Sequence, residues 1–124
     1  MGSFPSADLL YGIDLGMDED REQPEWFTEE LEEEYGGEDE VLDHLLKGIK
    51  EVGYCRYGNR VNGYTGLALC TQGVGAGAYK AKPIGIDQLS ATVGDDNTLR
   101  AAWAILYPDQ LMPDPGWFLT VSYG

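Results

Sequence analysis

Between Asp18 and Asp43 the chain places fourteen acidic residues and a single base, Arg21, a net charge of −13 over 26 residues. No other feature limits its folding so strongly. Like charges at this density repel one another, so these side chains must stay solvated or meet a cation. The imbalance is local. Residues 1–51 hold 17 acids and 3 bases, whereas residues 52–124 hold 5 of each, so the net charge of −14 lies wholly in the first part of the chain. Such a segment repels DNA, RNA and anionic membranes and attracts basic surfaces.

The acidic stretch is nonetheless patterned for helices. Pro24 suits the first turn of one, because its missing N–H would be unpaired there. Phe27, Leu31 and Tyr35 then recur as one apolar stripe, and Gly36-Gly37 ends the run. A second helix is expected from Glu38 to about Val52, burying Val41, Leu42, Leu45, Leu46 and Ile49, with Gly53 just past its end. Its first turn is acidic and its last carries Lys47 and Lys50, as the helix dipole favours. Upstream, Leu9, Tyr11, Ile13 and Leu15 alternate with other residues. Gly12 and Gly16 weaken this strand, so an edge strand or ordered arm is expected, followed by a polar connector over Met17–Gln23.

From Gly53 the pattern changes to strands. Asn62-Gly63 is a strong hairpin signal and sets Cys55 directly across from Cys70; Gly58-Asn59 is a competing turn. A further strand is expected over Ala76–Lys82, ended by Pro83, with Gly73–Gly77 read as a turn or bulge before it. Residues 86–94 look irregular. Asp95 or Asp96 can cap a third helix reaching Tyr107, with Leu99, Ala102, Trp103 and Leu106 on one face and Pro108 as its stop. Trp117–Tyr123 reads as the last strand. This order predicts an α+β fold: a mostly antiparallel sheet of about four strands with three helices on one face. Residues 1–23 would be an N-terminal arm or edge strand plus acidic connector, and residues 24–124 a single domain. At 124 residues the chain can bury a core without disulfides or metals.

Chemistry-bearing motifs are sparse. His44 is the one histidine, and it has no nucleophile or metal partner in view. Neither a nucleophile elbow nor a metalloprotease helix motif occurs, so catalytic residues are not assigned and no enzyme activity is expected. Gly73-Val74-Gly75-Ala76-Gly77 lacks the Lys-Ser/Thr of a phosphate loop. Asp18, Asp20, Glu22, Pro24 and Glu29 fall on calcium-loop positions, but Gln23 stands where the loop needs glycine, so a solvated connector is expected and no metal or cofactor. Cys55 and Cys70 lack zinc spacing and read as free thiols. The N-terminus has the Met-Gly-x-x-x-Ser form read by myristoylating enzymes, yet nothing basic follows, and no apolar run approaches the roughly 20 residues that span a bilayer.

The acidic block is then the candidate site: Asp18, Asp20, Glu22, Glu29, Glu30, Glu32, Glu33, Glu34, Glu38, Asp39, Glu40 and Asp43, presented to a basic protein surface. Two helices this dense in carboxylates approach the linear charge of duplex DNA, about one charge per 1.7 Å. The competing reading is a solubilising face with no specific partner.

Both ends of the chain resemble small accessory proteins of actinobacteriophages. The opening stretch is Pro5-Ser6-Ala7-Asp8-Leu9-Leu10-Tyr11-Gly12-Ile13-Asp14-Leu15-Gly16. The close is Pro115-Gly116-Trp117-Phe118-Leu119-Thr120-Val121-Ser122-Tyr123-Gly124. The likeness covers about 20 residues at the termini and carries no activity. It implies a phage product made in a host bacterial cytoplasm, with the two end motifs as neighbouring strands. The expected function is an acidic binding protein that engages a host factor, possible targets being restriction, CRISPR or transcription systems that it would inhibit by mimicking nucleic acid. The alternative is a structural or assembly protein of the virion using Tyr54, Tyr57, Tyr64 and Tyr79 of the neutral half.

Overall fold

Two long strands form the frame: β1 (Pro5–Met17) and β3 (Tyr64–Gly77) pair antiparallel from Ser6↔Gly77 to Met17↔Gly66. The computed structural model describes residues 5–18, 24–59, 63–77 and 81–123. β4 (Gly116–Tyr123) lies along the first half of β1, from Gly12↔Gly116 out to Pro5↔Tyr123. β2 (Gly53–Asn59) lies along the other half of the ribbon, from Gly53↔Cys70 out to Asn59↔Tyr64. Both outer strands therefore run from the middle of the β1–β3 ribbon toward its ends. Register shifts between Tyr11 and Gly12 and between Asp14 and Gly16 mark bulges, which bend strands. Folding the ribbon there brings the two ends together, and Gly58↔Ser122 and Asn59↔Tyr123 pair in parallel. The result is a closed barrel in the order β1-β3-β2-β4.

This closure explains why β1 is an interior strand and not the expected edge strand or arm. It has partners on both sides over residues 6–12. The glycine that looked like a weakness is required: a Cβ on Gly12 would lie 1.8 Å from the Leu69 carbonyl oxygen. The end motifs are neighbouring strands, as expected.

A closed sheet of four strands has little interior, since eight are needed before side chains fill the space comfortably. The inward positions of β3 are accordingly small: Gly66, Ala68, Cys70, Gly73 and Gly75. Tyr57 fills the space over Gly66, Leu10 that over Gly73 and Asp8 that over Gly75. Gly73–Gly77 is thus continuous strand and not the expected turn; of the separate strand expected over residues 76–82, Ala76 and Gly77 belong to β3, residues 81 and 82 are irregular, and 78–80 lie outside the described residues. The β2–β3 register differs from expectation by two residues, so Cys55 faces Ala68 and not Cys70. A shift of two preserves the face of every side chain. The two thiols remain on one side of the sheet as diagonal neighbours and form no disulfide. Gly58-Asn59 lies inside β2 and makes no turn, and residues 60–62 of the expected hairpin turn lie outside the described set.

The outer face carries the helices. Tyr11, Ile13, Leu67 and Leu69 form one cluster with Val41, Leu42 and Leu46 of α2 (Glu38–Leu46) and Leu99, Ala102, Trp103 and Leu106 of α3 (Val93–Leu106). The predicted α3 face is the buried one. Its cap is Thr92, however, which exchanges bonds with Asp95 in a capping box, so Asp95 serves from the third helical position. α2 ends at Leu46, earlier than Val52, and Glu51 takes a positive φ before β2 begins at Gly53. α1 (Glu29–Tyr35) begins after Thr28, whose hydroxyl accepts from the Leu31 amide. Pro24 precedes the helix in a turn closed by the Phe27 amide. That turn buries Trp26, a core residue outside the expected stripe.

Two substitutions test this account. Gly12→Ala should cost about 3 kcal/mol, because a backbone carbonyl cannot yield as a flexible side chain would. Thr92→Ala should cost about 1 kcal/mol through the lost cap. Urea denaturation would measure both.

Candidate functional site

The twelve predicted site residues divide into three groups. Asp20 and Glu22 lie outside the described residues. Asp18, Glu38, Asp39 and Asp43 are engaged by β2. Strand alternation puts Tyr54 and Arg56 on the outer face, beneath the start of α2. The Arg56 guanidinium meets Asp39 through Nε at 2.5 Å, Asp18 through Nη1 at 3.1 Å and Glu38 through Nη2 at 2.5 Å. Its side chain is only 16% exposed. Asp18 also accepts from the Thr65 hydroxyl at 2.6 Å, and its amide donates to the Thr65 carbonyl. Tyr54 donates to Asp43 at 2.8 Å and lies 3.2 Å from the Asp39 carbonyl. Burial first, then the Asp43 carboxylate, raises the Tyr54 hydroxyl above its ordinary range, so it remains a donor. Among the described residues these three carboxylates share one cation. Glu38 and Asp39 occupy the first turn of α2, where the helix dipole favours anions.

The third group faces solvent. Glu29, Glu30, Glu32, Glu33 and Glu34 of α1 are all exposed, and α1 has no fully buried residue. Glu40 is exposed too and folds back over Gly37, the α2 N-cap. α1 is short and carries like-charge pairs at Glu29–Glu32, Glu30–Glu33, Glu29–Glu33 and Glu30–Glu34, each unfavourable by about 0.2–0.5 kcal/mol. It holds through tertiary contact: Phe27, Leu31 and Tyr35 pack against the core, and Tyr35 stacks on His44 with ring centroids 4.1 Å apart. That stack also accounts for the lone histidine.

Arg56 is the residue that sequence reasoning passed over, and Tyr54 was read only as an interface tyrosine. Their signal was present: two long polar tips at alternate positions of a strand next to an acid-rich helix. On the inner face, burial first and then Cys55 and Asp8 push the Cys70 thiol up to about 11, so it is protonated at neutral pH. Among the described residues no group of three or more His, Cys, Asp or Glu side chains is arranged to hold a metal. Likewise, none of the described helices is long and apolar enough to cross a membrane.

Tyr11 of β1 donates to Asp96 of α3 at 2.5 Å, and this bond, followed by burial and the Asp96 and Asp95 charges, pushes its hydroxyl up to about 12. A raised folded-state pKa means the contribution is complete below the unfolded value of about 10 and is lost as pH rises through the folded one. Wild-type stability should therefore fall more steeply than that of Tyr11→Phe between about pH 10 and 12, as read from urea midpoints.

Arg56→Met should cost about 2–3 kcal/mol in the same assay, because three partly buried carboxylates lose their cation. Arg56→Lys should recover less than half of this, lacking the planar fork. Comparison with known protein families, curated proteins and solved structures yields no match to this chain.

Proposed function

We propose that the chain is a phage-encoded acidic binding protein that engages a basic surface of a host protein in the bacterial cytoplasm, through α1 and the adjoining start of α2. The phage origin rests on the likeness of the terminal motifs. The observation that carries the binding role is α1 itself. Five of its seven residues are exposed glutamates, held in a helix against their mutual repulsion. At about 1.5 Å per residue this is about one charge per 2 Å, close to the roughly 1.7 Å of duplex DNA. Solubility alone does not call for charge concentrated in this way. The target is a surface that ordinarily holds nucleic acid, and the role is binding, not catalysis.

A second reading, a structural or assembly protein of the virion, has its own observation. Of the neutral-half tyrosines first considered, Tyr54 and Tyr57 are tied to Asp43 and Asp14, and Tyr79 lies outside the described residues. Tyr64 is 51% exposed, and β4 presents Leu119, Val121 and Tyr123 to solvent. Such a patch suits contact with other protein subunits. Presence of the protein in purified virions would favour this reading over the first.

The test of the acidic face is a set of Glu→Lys changes at Glu29, Glu30, Glu33 and Glu34. The variant should keep its circular dichroism and thermal transition but lose the basic proteins that the wild type captures from host lysate. Capture by the wild type should also vanish at about 0.5 M salt, where the Debye length is roughly 4 Å. Partners that survive either treatment would rule out the acidic face as the binding site.

A further inference from the structure

On α3, the helix and the segment leading to β4 enclose a cleft of about 420 Å3, lined among others by Asp96, Arg100, Trp103, Tyr107, Met112 and Asp114. Its wall is fastened in place. The Trp103 indole N–H donates to the Gln110 carbonyl at 2.9 Å, the Tyr107 amide donates to Trp103, and the Gln110 amide donates to Tyr107. The cleft is therefore built before any ligand arrives, which lowers the cost of binding.

We propose that this cleft receives a single cationic side chain, an arginine guanidinium, from the basic partner. The inference rests on the reading of the protein as a binder of basic surfaces and supplies that reading with an anchor point. Two features of the cleft select for this chemistry. First, Tyr107 packs on the buried Trp103 indole, with centroids 4.4 Å apart and planes tilted by 33°, so the half-buried Tyr107 ring is the one the cleft offers to a ligand, and Met112 adds a polarisable sulfur. A planar guanidinium stacks on such a ring more readily than an ammonium does. Second, the charge of the lining is negative. Asp96 and Asp114 outnumber Arg100, which is held along its own helix by Asn97. The two carboxylates of the lining would repel an anionic ligand.

The carboxylate of Asp96 is also pre-set. Tyr11 donates to one of its oxygens, and a carboxylate has about four acceptor sites, so capacity for a second donor remains. Leu111, 95% exposed at the rim, is the most exposed large apolar side chain among the described residues and would cover the aliphatic stem of the bound arginine. The volume lies within the roughly 300–1,000 Å3 of ordinary small-ligand sites and accommodates one side chain.

The test is an NMR titration of the full chain with the blocked tripeptide acetyl-Gly-Arg-Gly-amide, against the same peptide with neutral citrulline. The arginine peptide should shift the Trp103 indole N–H and the Met112 methyl saturably, at roughly millimolar concentration. Asp114→Asn should weaken it about two- to fivefold with no wider spectral change. Equal binding of the citrulline peptide would overturn the proposal. So would shifts confined to Glu29–Glu34, although the acidic-face reading would then stand. Conversely, saturable cleft binding that persists in the four-lysine α1 variant supports the cleft, even if that variant keeps its lysate partners and the acidic face is thereby excluded.

Discussion

One guanidinium joins the sheet to the acidic part of the chain. Arg56 gathers Asp18 from the end of β1 and Glu38 and Asp39 from the start of α2. Those three carboxylates flank the most acidic stretch of the chain, so the cation pins that stretch at both ends. Without it, the repulsion within residues 18–43 would work against docking α1 and α2 on the sheet. A desolvated ion cluster is seldom a large source of stability by itself, but it is intolerant of losing one member. Arg56 is the member that all three carboxylates share, so its loss reaches each of them.

The second constraint is the narrowness of the barrel. Four strands can close only if one of them is small enough on its inner face to make room for its neighbours' side chains and the long ribbon can fold back on itself. Small residues at alternate positions of β3 answer the first need, and Gly12 at the bulge answers the second. With so little room inside, the hydrophobic core has to form outside the barrel, between its outer face and α2 and α3. The helices are thus part of the core and not an appendage to it. The same geometry leaves the distal part of the outer face uncovered by helix, where Leu119, Val121 and Tyr123 remain exposed.

These constraints sort the acidic residues by role. Carboxylates at the edges of the block are used internally, on Arg56 and Tyr54, and those of α1 are left to solvent. What reads in sequence as one uniform block is a structural clamp adjoining an exposed ridge. The cleft beside α3 extends the negative character into the neutral half, where local balance of charge conceals it.

The sequence by itself determined the elements whose signals are local. The buried face of α3, the apolar positions Val41, Leu42 and Leu46 of α2, the strand at Trp117–Tyr123 and the α+β class all follow from periodicity, because a helix or strand face is set by its own neighbours. Tertiary structure decided what depends on distant pairing. β1 became interior because β4 returns along its other side, and the glycine run became strand because Asp8 and Leu10 of β1 lie over it. The β2–β3 register shifted by two residues without changing any face, a difference that alternation alone cannot detect. Only the assembled sheet put Arg56 under three carboxylates, and it was that contact, long in sequence and short in space, which divided the acidic block into clamp and ridge.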